Sequence, residues 1–381
     1  MITKLNASTS IMIVALWAIV PTNAAAQDDI QTQINRAEDE SEVSIANGTY
    51  KSPVTIDRPL VLKGESREKC VLAVSADKPG ITVATTEPVT IESMTIKWQL
   101  ATSKGRQGPA SAVFVKDGRV TLRNCRVIAS GSTKRCPAAV ACDGFSNVSL
   151  ENCRFEGFDF TIGYGGGAEG SITDCLILNP GHCGISVYSG SKIDIARNII
   201  TGSKYHGVRC TGGTLRLHDN LIIRNKNRGV YLGNKSASGR ISNNVIVGNG
   251  TGIGAFAQSD VTIENNVILD SSYAGLGTRD SCPLTVRNNI FQNNNRGIVL
   301  FEETGRMRVD VGRNSFWNNK TNTENLATPE TAILVDPRLT AEKDGDFVPQ
   351  AADLQDKRQG LSDAQIFPAL WEKWKRLAQE K

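Results

Sequence analysis

The sequence predicts an all-β fold, a single-stranded parallel β-helix, from three observations. Asparagines recur at one period, glycines recur at the same period about ten residues later, and the segments between them alternate apolar and polar residues as strands do. The asparagines step by 22–25 residues: Asn198, Asn220, Asn244, Asn266, Asn289 and Asn314. The glycines step by 22–23 residues: Gly184, Gly207, Gly229, Gly252, Gly275 and Gly297. Two markers with one period indicate a solenoid.

Each repeat is expected to form one coil of three short strands and three bends. Runs such as VTIENNVIL (261–269) and LTVRNNIFQ (284–292) lack helical periodicity and are bounded by Gly, Asn and Ser. The L-x-x-L-x-L pattern of leucine-rich repeats is absent. We expect the asparagines to be structural, at a bend where Asn tolerates left-handed backbone angles and its amide bonds to neighbouring coils.

Five of the nine cysteines form two groups. Cys125, Cys153 and Cys175 extend the asparagine series backwards at steps of 28, 22 and 23 residues, which predicts stacked buried thiols. Cys136 and Cys142 flank a predicted loop and are the candidate disulfide, because an exported protein meets an oxidising compartment.

The N-terminus predicts export. A lysine at position 4, the apolar run IMIVALWAIV (11–20) and an A-x-A site before Gln27 form a secretory signal peptide over residues 1–26. A run of this length is too short to cross about 30 Å of hydrocarbon. We therefore expect a periplasmic or extracellular protein without a transmembrane segment. Its formal net charge of +4 also argues against a nucleic-acid partner, which requires a strong basic patch.

The C-terminal tail, residues 351–381, is predicted to end in an amphipathic helix. Its apolar side chains share one face: Ile366, Leu370, Trp371, Trp374 and Leu377. We expect this helix to cap the last coil, since a solenoid needs its ends covered. Membrane or partner binding by the same face is the alternative.

Two segments at the ends of the repeat region resemble a known superfamily. DDIQTQINRAEDESEVSIANGTYKSPVTIDRPLVLKGES (28–66) resembles the opening of right-handed parallel β-helix, pectin-lyase-like proteins, and VDPRLTAEKDGDFVPQ (335–350) resembles their exit segment. The resemblance implies a right-handed β-helix over residues 27–350, with a capping helix near 28–40 and repeats to about residue 320. It implies little about function, because this scaffold hosts many activities.

The outward positions around the glycine series carry the candidate site. His182 and His206 are 24 residues apart and are expected to lie one above the other. The candidate substrate-binding residues combine aromatic rings with cations: Tyr188, Tyr205, Arg228, Phe256 and Arg279. Aromatic faces stack on sugar rings, and Arg pairs with carboxylates in bidentate fashion. The sequence therefore predicts a polysaccharide partner.

A narrower resemblance concerns polygalacturonase-type glycoside hydrolases. ACDGFSNVSLENCRFEGFDFTIGYGGG (141–167), then GHCGIS and GVRC, are similar to their series of motifs. The similarity implies Asp143 and Asp159 as the catalytic carboxylates, with His182 and Arg209 as the motif His and Arg. Hydrolysis needs one carboxyl group to protonate the leaving oxygen and one to activate water. Phe158 and Thr211 replace the family's first paired acid and its Lys.

Lyase or epimerase chemistry needs a base, a group that neutralises the uronate carboxylate, and an acid. His206 or His182 suits the base, Arg209 or Arg228 the neutraliser, and Tyr231 or Tyr188 the acid. We expect no metal and no cofactor, because neighbouring coils do not supply the six to eight oxygens that Ca²⁺ takes. The sequence thus predicts an exported, monomeric lyase or hydrolase of uronate-containing or other polysaccharide. The alternative is a non-catalytic carbohydrate-binding or surface-interaction module.

Overall fold

The computed structural model describes residues 29–379, except 103–109, 133, 135, 235, 258–259, 280, 302–307, 341–344, 358 and 362–364. The predicted signal peptide, residues 1–26, lies outside the described residues.

The described chain forms three parallel sheets of twelve strands each, because each strand up to β33 pairs with the third strand after it. The first sheet contains β1 (Ser41–Ile45), β4 (Leu60–Gly64), β7 (Pro88–Glu92), β10 (Arg119–Arg123), β13 (Asn147–Glu151), β16 (Glu169–Thr173), β19 (Lys192–Ala196), β22 (Thr214–His218), β25 (Ser238–Ser242), β28 (Val261–Glu264), β31 (Leu284–Arg287) and β34 (Val309–Val311). The second sheet contains β2 (Gly48–Tyr50), β5 (Cys70–Ser75), β8 (Thr95–Gln99), β11 (Arg126–Ala129), β14 (Arg154–Glu156), β17 (Leu176–Leu178), β20 (Ile199–Thr201), β23 (Leu221–Ile223), β26 (Val245–Val247), β29 (Val267–Leu269), β32 (Ile290–Gln292) and β35 (Ser315–Trp317). The third sheet contains β3 (Val54–Ile56), β6 (Ile81–Val83), β9 (Ser111–Lys116), β12 (Ala138–Asp143), β15 (Phe160–Tyr164), β18 (Cys183–Tyr188), β21 (His206–Thr211), β24 (Arg228–Gly233), β27 (Thr251–Ala255), β30 (Ala274–Thr278), β33 (Arg296–Leu300) and β36 (Thr321–Glu324).

This architecture confirms the predicted parallel β-helix with three strands per coil. The residues that follow the glycine series point inward and pair in register, as Ile185 does with Val208 and Val208 with Val230. All three are fully buried. Each coil can bury its apolar residues only against the coils next to it.

The asparagine series forms a continuous hydrogen-bonded ladder inside the solenoid. Asn244 Nδ2 donates to Asn266 Oδ1 over 3.0 Å and to the carbonyl of Leu217 over 2.9 Å, while Asn244 Oδ1 accepts from the backbone N–H of Asn220 over 3.0 Å. The structural role is confirmed, with one correction. The left-handed angle belongs to the preceding residue, for example Asn243 with φ 55°, because the ladder asparagine must turn its amide inward.

The glycine series is required by close contact between coils. A Cβ on Gly229 would lie 2.8 Å from the carbonyl oxygen of Gly252, and one on Gly207 would lie 2.6 Å from that of Gly229. Any larger residue would push adjacent coils apart, so these glycines are structural.

The cysteines continue the ladder. The backbone N–H of Cys125 donates to Cys153 Sγ over 3.4 Å, that of Cys153 to Cys175 Sγ over 3.4 Å, and that of Cys175 to Asn198 Oδ1 over 2.9 Å. The stacked buried thiols are confirmed. The disulfide prediction is wrong: Cys142 is a free thiol, because it is an inward residue of β12 rather than a loop residue.

The helices cover the solenoid at different places. Helix α1 (Ile30–Arg36) contacts β1 and β3 at the N-terminal end and buries Ile30 and Ile34, as predicted for the capping helix. Helices α2 (Ala352–Asp356) and α3 (Phe367–Gln379) follow the last coil. No helix in the described part of the chain is long and apolar enough to cross a bilayer.

Helix α3 does not cap the last coil, which corrects the sequence-based expectation. Trp371 and Trp374 pack against the outer face of the second sheet, in one cluster with Leu221, Ile223 and Val245. From β17 to β29 that sheet is largely apolar on both faces, so its strands read as runs such as LII and VIV, and the outer face there needs a cover. The helix's apolar face is therefore already buried.

We expect Trp371→Ala to lower the free energy of unfolding by about 3–5 kcal/mol, the usual cost of removing a buried Trp side chain. Trp371 is 6% exposed and its ring centroid lies 5.4 Å from that of Phe347. Denaturant unfolding measures the change. Phe145→Ala is the matched control, because Phe145 is 87% exposed. Equal stability of the two variants would show that α3 does not hold the second sheet.

Candidate functional site

The candidate site is a groove on the third sheet with a volume of about 730 Å³. It is lined by Phe160, His182, Tyr205, His206, Arg209, Arg228, Tyr231, Asn234, Phe256 and Arg279. The structure thus brings together eight of the eleven residues that the sequence indicated. The remaining three, Asp143, Asp159 and Tyr188, lie outside this lining.

A chain of aromatic rings runs along the groove, parallel to the solenoid axis. Its first part places His182 4.5 Å from Phe160 and 4.7 Å from Tyr205, between ring centroids. Tyr205 lies 4.0 Å from His206, whose ring is stacked on Tyr231 at 4.9 Å with an interplanar angle of 8°. The second part continues from Tyr231 to Phe256 at 6.1 Å, from Phe256 to Phe301 at 5.7 Å and from Phe301 to Tyr273 at 5.9 Å.

Strand register and one glycine position these side chains. Arg209 pairs with Tyr231, which pairs with Gly254, so the three outward positions form one row. A Cβ on Gly254 would lie 2.6 Å from Arg228 Cδ and 3.1 Å from Phe256 Cε2. The missing side chain lets Arg228 and Phe256 lie across the sheet.

The two histidines are not one above the other, which corrects the prediction. His206 pairs with Cys183, whereas His182 stacks on Tyr205. The reason is the coil length: their separation of 24 residues exceeds the 23-residue step from Gly184 to Gly207 by one. The offset places Tyr205 between the two imidazoles.

His206 is held neutral by its surroundings. It is 2% exposed, and its Nδ1 atom has no hydrogen-bond partner within the described ranges. Burial lowers the pKa of His206 to about 3, and the charges of Arg228, His182 and Arg209 act in the same direction. Burial also lowers the pKa of His182, with Asp159 opposing and Arg209 reinforcing that effect. Both imidazoles are therefore unprotonated at neutral pH.

The groove arginines are held by aromatic rings rather than by acids. The guanidinium carbon of Arg228 lies 5.3 Å from the ring centroid of Tyr231 and 5.5 Å from that of Phe256. The guanidinium carbon of Arg209 lies 5.6 Å from the ring centroid of Tyr188. Tyr188 is therefore next to the groove, in contact with one of its lining arginines. Between described residues, no ion pair involves Arg209 or Arg228. Arg209 and Arg228 consequently bring positive charge to the groove that no described carboxylate pairs.

Asp143 and Asp159 do not form a catalytic pair, which corrects the hydrolase prediction. Ala138 of β12 pairs with Phe160 of β15, so Asp159 lies before one end of this strand pair and Asp143 at the other. Six residues at about 3.3 Å each separate them by about 20 Å. Two hydrolytic carboxyl groups must lie within about 10 Å. Asp159 acts on His182 electrostatically, whereas Asp143 is exposed beyond the groove.

Sequence reasoning missed several residues of this face. Phe160 and Asn234 line the groove, and a second cavity of about 720 Å³ adds Lys204, Lys226, Tyr273 and Phe301. The sequence could have indicated the two lysines, because Lys204 and Lys226 each precede a glycine of the series by three residues and so occupy equivalent positions on neighbouring coils. No group of three or more His, Cys, Asp or Glu within the part of the chain described is arranged to hold a metal ion.

Comparison with known proteins identifies relatives of the fold. Residues 79–239 match the family described as right handed beta helix region, and residues 211–332 match periplasmic copper-binding protein (NosD). No curated protein matches the sequence. Among solved structures, periplasmic alginate epimerase AlgG is similar with a TM-score of 0.54 and 14% identity, covering 77% of this chain and 84% of that one. PL6 family alginate lyase AlyGC is similar with a TM-score of 0.52 and 14% identity, covering 88% and 56%. At such identity the similarity concerns the fold.

Proposed function

We propose, on the premise that this chain belongs to the right-handed parallel β-helix superfamily, that it acts on a uronate-containing polysaccharide bound along the third-sheet groove. The reaction is removal of the proton next to the uronate carboxylate. The observation that carries this proposal is that two histidines, His182 and His206, line the groove together with Arg209 and Arg228. A base and two cations are what this proton transfer needs.

The uncompensated charge supports an acidic ligand. On the first sheet, cations are paired: Lys63 with Glu42 and Glu92 at 3.3 Å, and Arg197 with Asp174 at 2.9 Å. No described carboxylate pairs with Arg209 or Arg228, whose guanidinium groups lie over aromatic rings, and Arg228 also donates to Asn227 Oδ1 over 3.3 Å. A uronate carboxylate would supply the missing negative charge, and a sugar ring would stack on the aromatic chain.

The chemical step assigns one task to each group. His182, which is less deeply buried than His206 and whose protonated form Asp159 favours, accepts the C5 proton. The electron pair left behind is delocalised into the carboxylate, whose charge Arg228 or Arg209 neutralises. In elimination, Tyr231 donates its proton to the glycosidic oxygen, the C4–O bond breaks and a C4–C5 double bond forms. In epimerisation, C5 is reprotonated from the opposite face and no bond to oxygen breaks. Both outcomes begin with the same proton transfer.

The relatives support the substrate class and the location. AlgG and AlyGC are described as acting on alginate, a polyuronate, and share this fold. AlgG and NosD are described as periplasmic, which agrees with the export that the N-terminal sequence predicts. The second candidate function is non-catalytic polysaccharide binding, and it is favoured by the aromatic chain, which continues beyond the histidines to Phe301.

The test is a panel of acidic and neutral polysaccharides in deuterated water. We expect binding to polyuronates that weakens as salt rises, since the attraction is between charges. We also expect one of two chemical changes: deuterium incorporation at C5 if the residue is epimerised, or absorbance of unsaturated ends if the glycosidic bond breaks. Binding without either chemical change would favour the non-catalytic module. Absence of binding to every polyuronate would overturn the proposal.

A further inference from the structure

We propose that the second cavity binds an anionic group that the polysaccharide carries as a side substituent. The proposal rests on the proposed function, because it assumes that the backbone of the polymer lies in the groove. The ligand class is an oxyanion attached to the chain, either a sulfate ester or the carboxylate of a branching uronate.

The groove and the second cavity form a fork. Both are lined by Tyr205, Arg228 and Phe256, which make a shared ridge. From this ridge the groove continues over the sheet towards Arg209 and Arg279. The second cavity continues instead over the bend that precedes the third sheet. A linear polysaccharide backbone fills the groove. The second cavity therefore suits a substituent that branches from that backbone.

Two lysines define the chemistry of the second cavity. The backbone N–H of Lys226 donates to the carbonyl of Ser203 over 2.9 Å, which sets Lys226 beside Lys204 on the next coil. Coils are about 4.8 Å apart, so two ammonium groups extend from neighbouring positions. Both side chains are exposed, and neither forms an ion pair with any residue that the structure describes. Like charges at this spacing repel, and one oxyanion between them would remove the repulsion.

The far wall of the second cavity offers an apolar platform. Tyr273 and Phe301 stack with 5.9 Å between centroids and an interplanar angle of 7°, and they are 41% and 39% exposed. Arg296 lies over Tyr273 at 4.9 Å, but its charge is paired with Glu324. The wall therefore suits the ring of a substituent, while Lys204 and Lys226 supply the charge that its anion needs.

The experiment measures the affinity of oligosaccharides of the polyuronate that the panel selects. The unsubstituted oligosaccharide is compared with the same one carrying a single sulfate ester and with one carrying a single uronate branch. We expect the wild-type protein to bind one or both substituted forms about tenfold more tightly, which corresponds to about 1.4 kcal/mol. The double variant Lys204→Gln/Lys226→Gln is expected to lose that preference while binding the unsubstituted form as the wild type does.

The matched control is Lys51→Gln/Lys97→Gln, which removes the same charge from exposed positions elsewhere and should keep the preference. If the Lys204 and Lys226 variant weakens all three ligands equally, the lysines attract the backbone and the proposal is wrong. A wild-type protein without preference also overturns it, although the proposed function survives. If no polyuronate binds at all, both fail. The substituted oligosaccharide that binds more tightly identifies the anion as sulfate or carboxylate.

Discussion

Replacing His182 with glutamine is expected to lower kcat/KM on the preferred polyuronate by about 10²–10⁴-fold, the usual contribution of a positioned base. Glutamine keeps a polar side chain of similar size but cannot accept the C5 proton. Single-turnover measurement of deuterium incorporation at C5, for epimerisation, or of absorbance by the unsaturated end, for elimination, follows the step. The control is His218→Gln, because His218 lies on the first sheet, where it contacts Asp194 and Asp219. An unchanged rate in the His182 variant, with normal binding, would remove His182 from the mechanism.

The pH dependence of stability provides a check on His206. Its folded pKa of about 3 is below the ordinary value of 6.5, so between these two pH values the unfolded chain binds more protons than the folded one. The native protein is therefore destabilised as pH falls below 6.5, by about 2 kcal/mol at pH 5. Denaturant unfolding at neutral pH and at pH 5 should show this loss of stability in the wild type and a smaller loss in His206→Gln. Equal losses would mean that His206 is not held neutral.

Replacing Asn244 with alanine is expected to lower the free energy of unfolding by more than about 3 kcal/mol. The change removes donors to the carbonyls of Leu217 and Ser242 and to Asn266 Oδ1, and the acceptor of the Asn220 N–H. The bonds to Leu217, Asn266 and Asn220 are buried and the one to Ser242 is part-buried, and each buried group left unsatisfied costs about 1–3 kcal/mol.

Denaturant unfolding of the Asn244 variant measures this loss, and Asn47→Ala is its matched control because Asn47 is exposed. The control should change stability by less than about 0.5 kcal/mol. Similar values for the two variants would mean that the asparagine ladder is replaceable by backbone pairing alone.

Much of the candidate groove was accessible from the repeat alone. Once the glycine series gives the period, Arg209, Tyr231 and Phe256 can be assigned to outward positions on neighbouring coils. The same reasoning fails where coil length varies. The separation of His182 and His206 differs from the period by one residue. As a result the neighbour of His182 on the next coil is Tyr205 rather than His206. Asp143 and Asp159 match hydrolase motifs in sequence, but strand direction puts them at opposite ends of adjacent strands.

The sequence by itself determined that the chain stacks coil on coil, because a periodic series of buried Asn, Cys and Gly has no other way to satisfy its amides, thiols and close backbone contacts. It also determined which strand positions point outward, since alternation is a property of the extended backbone. Only the tertiary structure decided that α3 covers the second sheet, that Lys204 and Lys226 border a second cavity, and that His206 is neutral. Each of these depends on which surfaces meet across coils, and hence on burial and charge from residues that are distant in the chain.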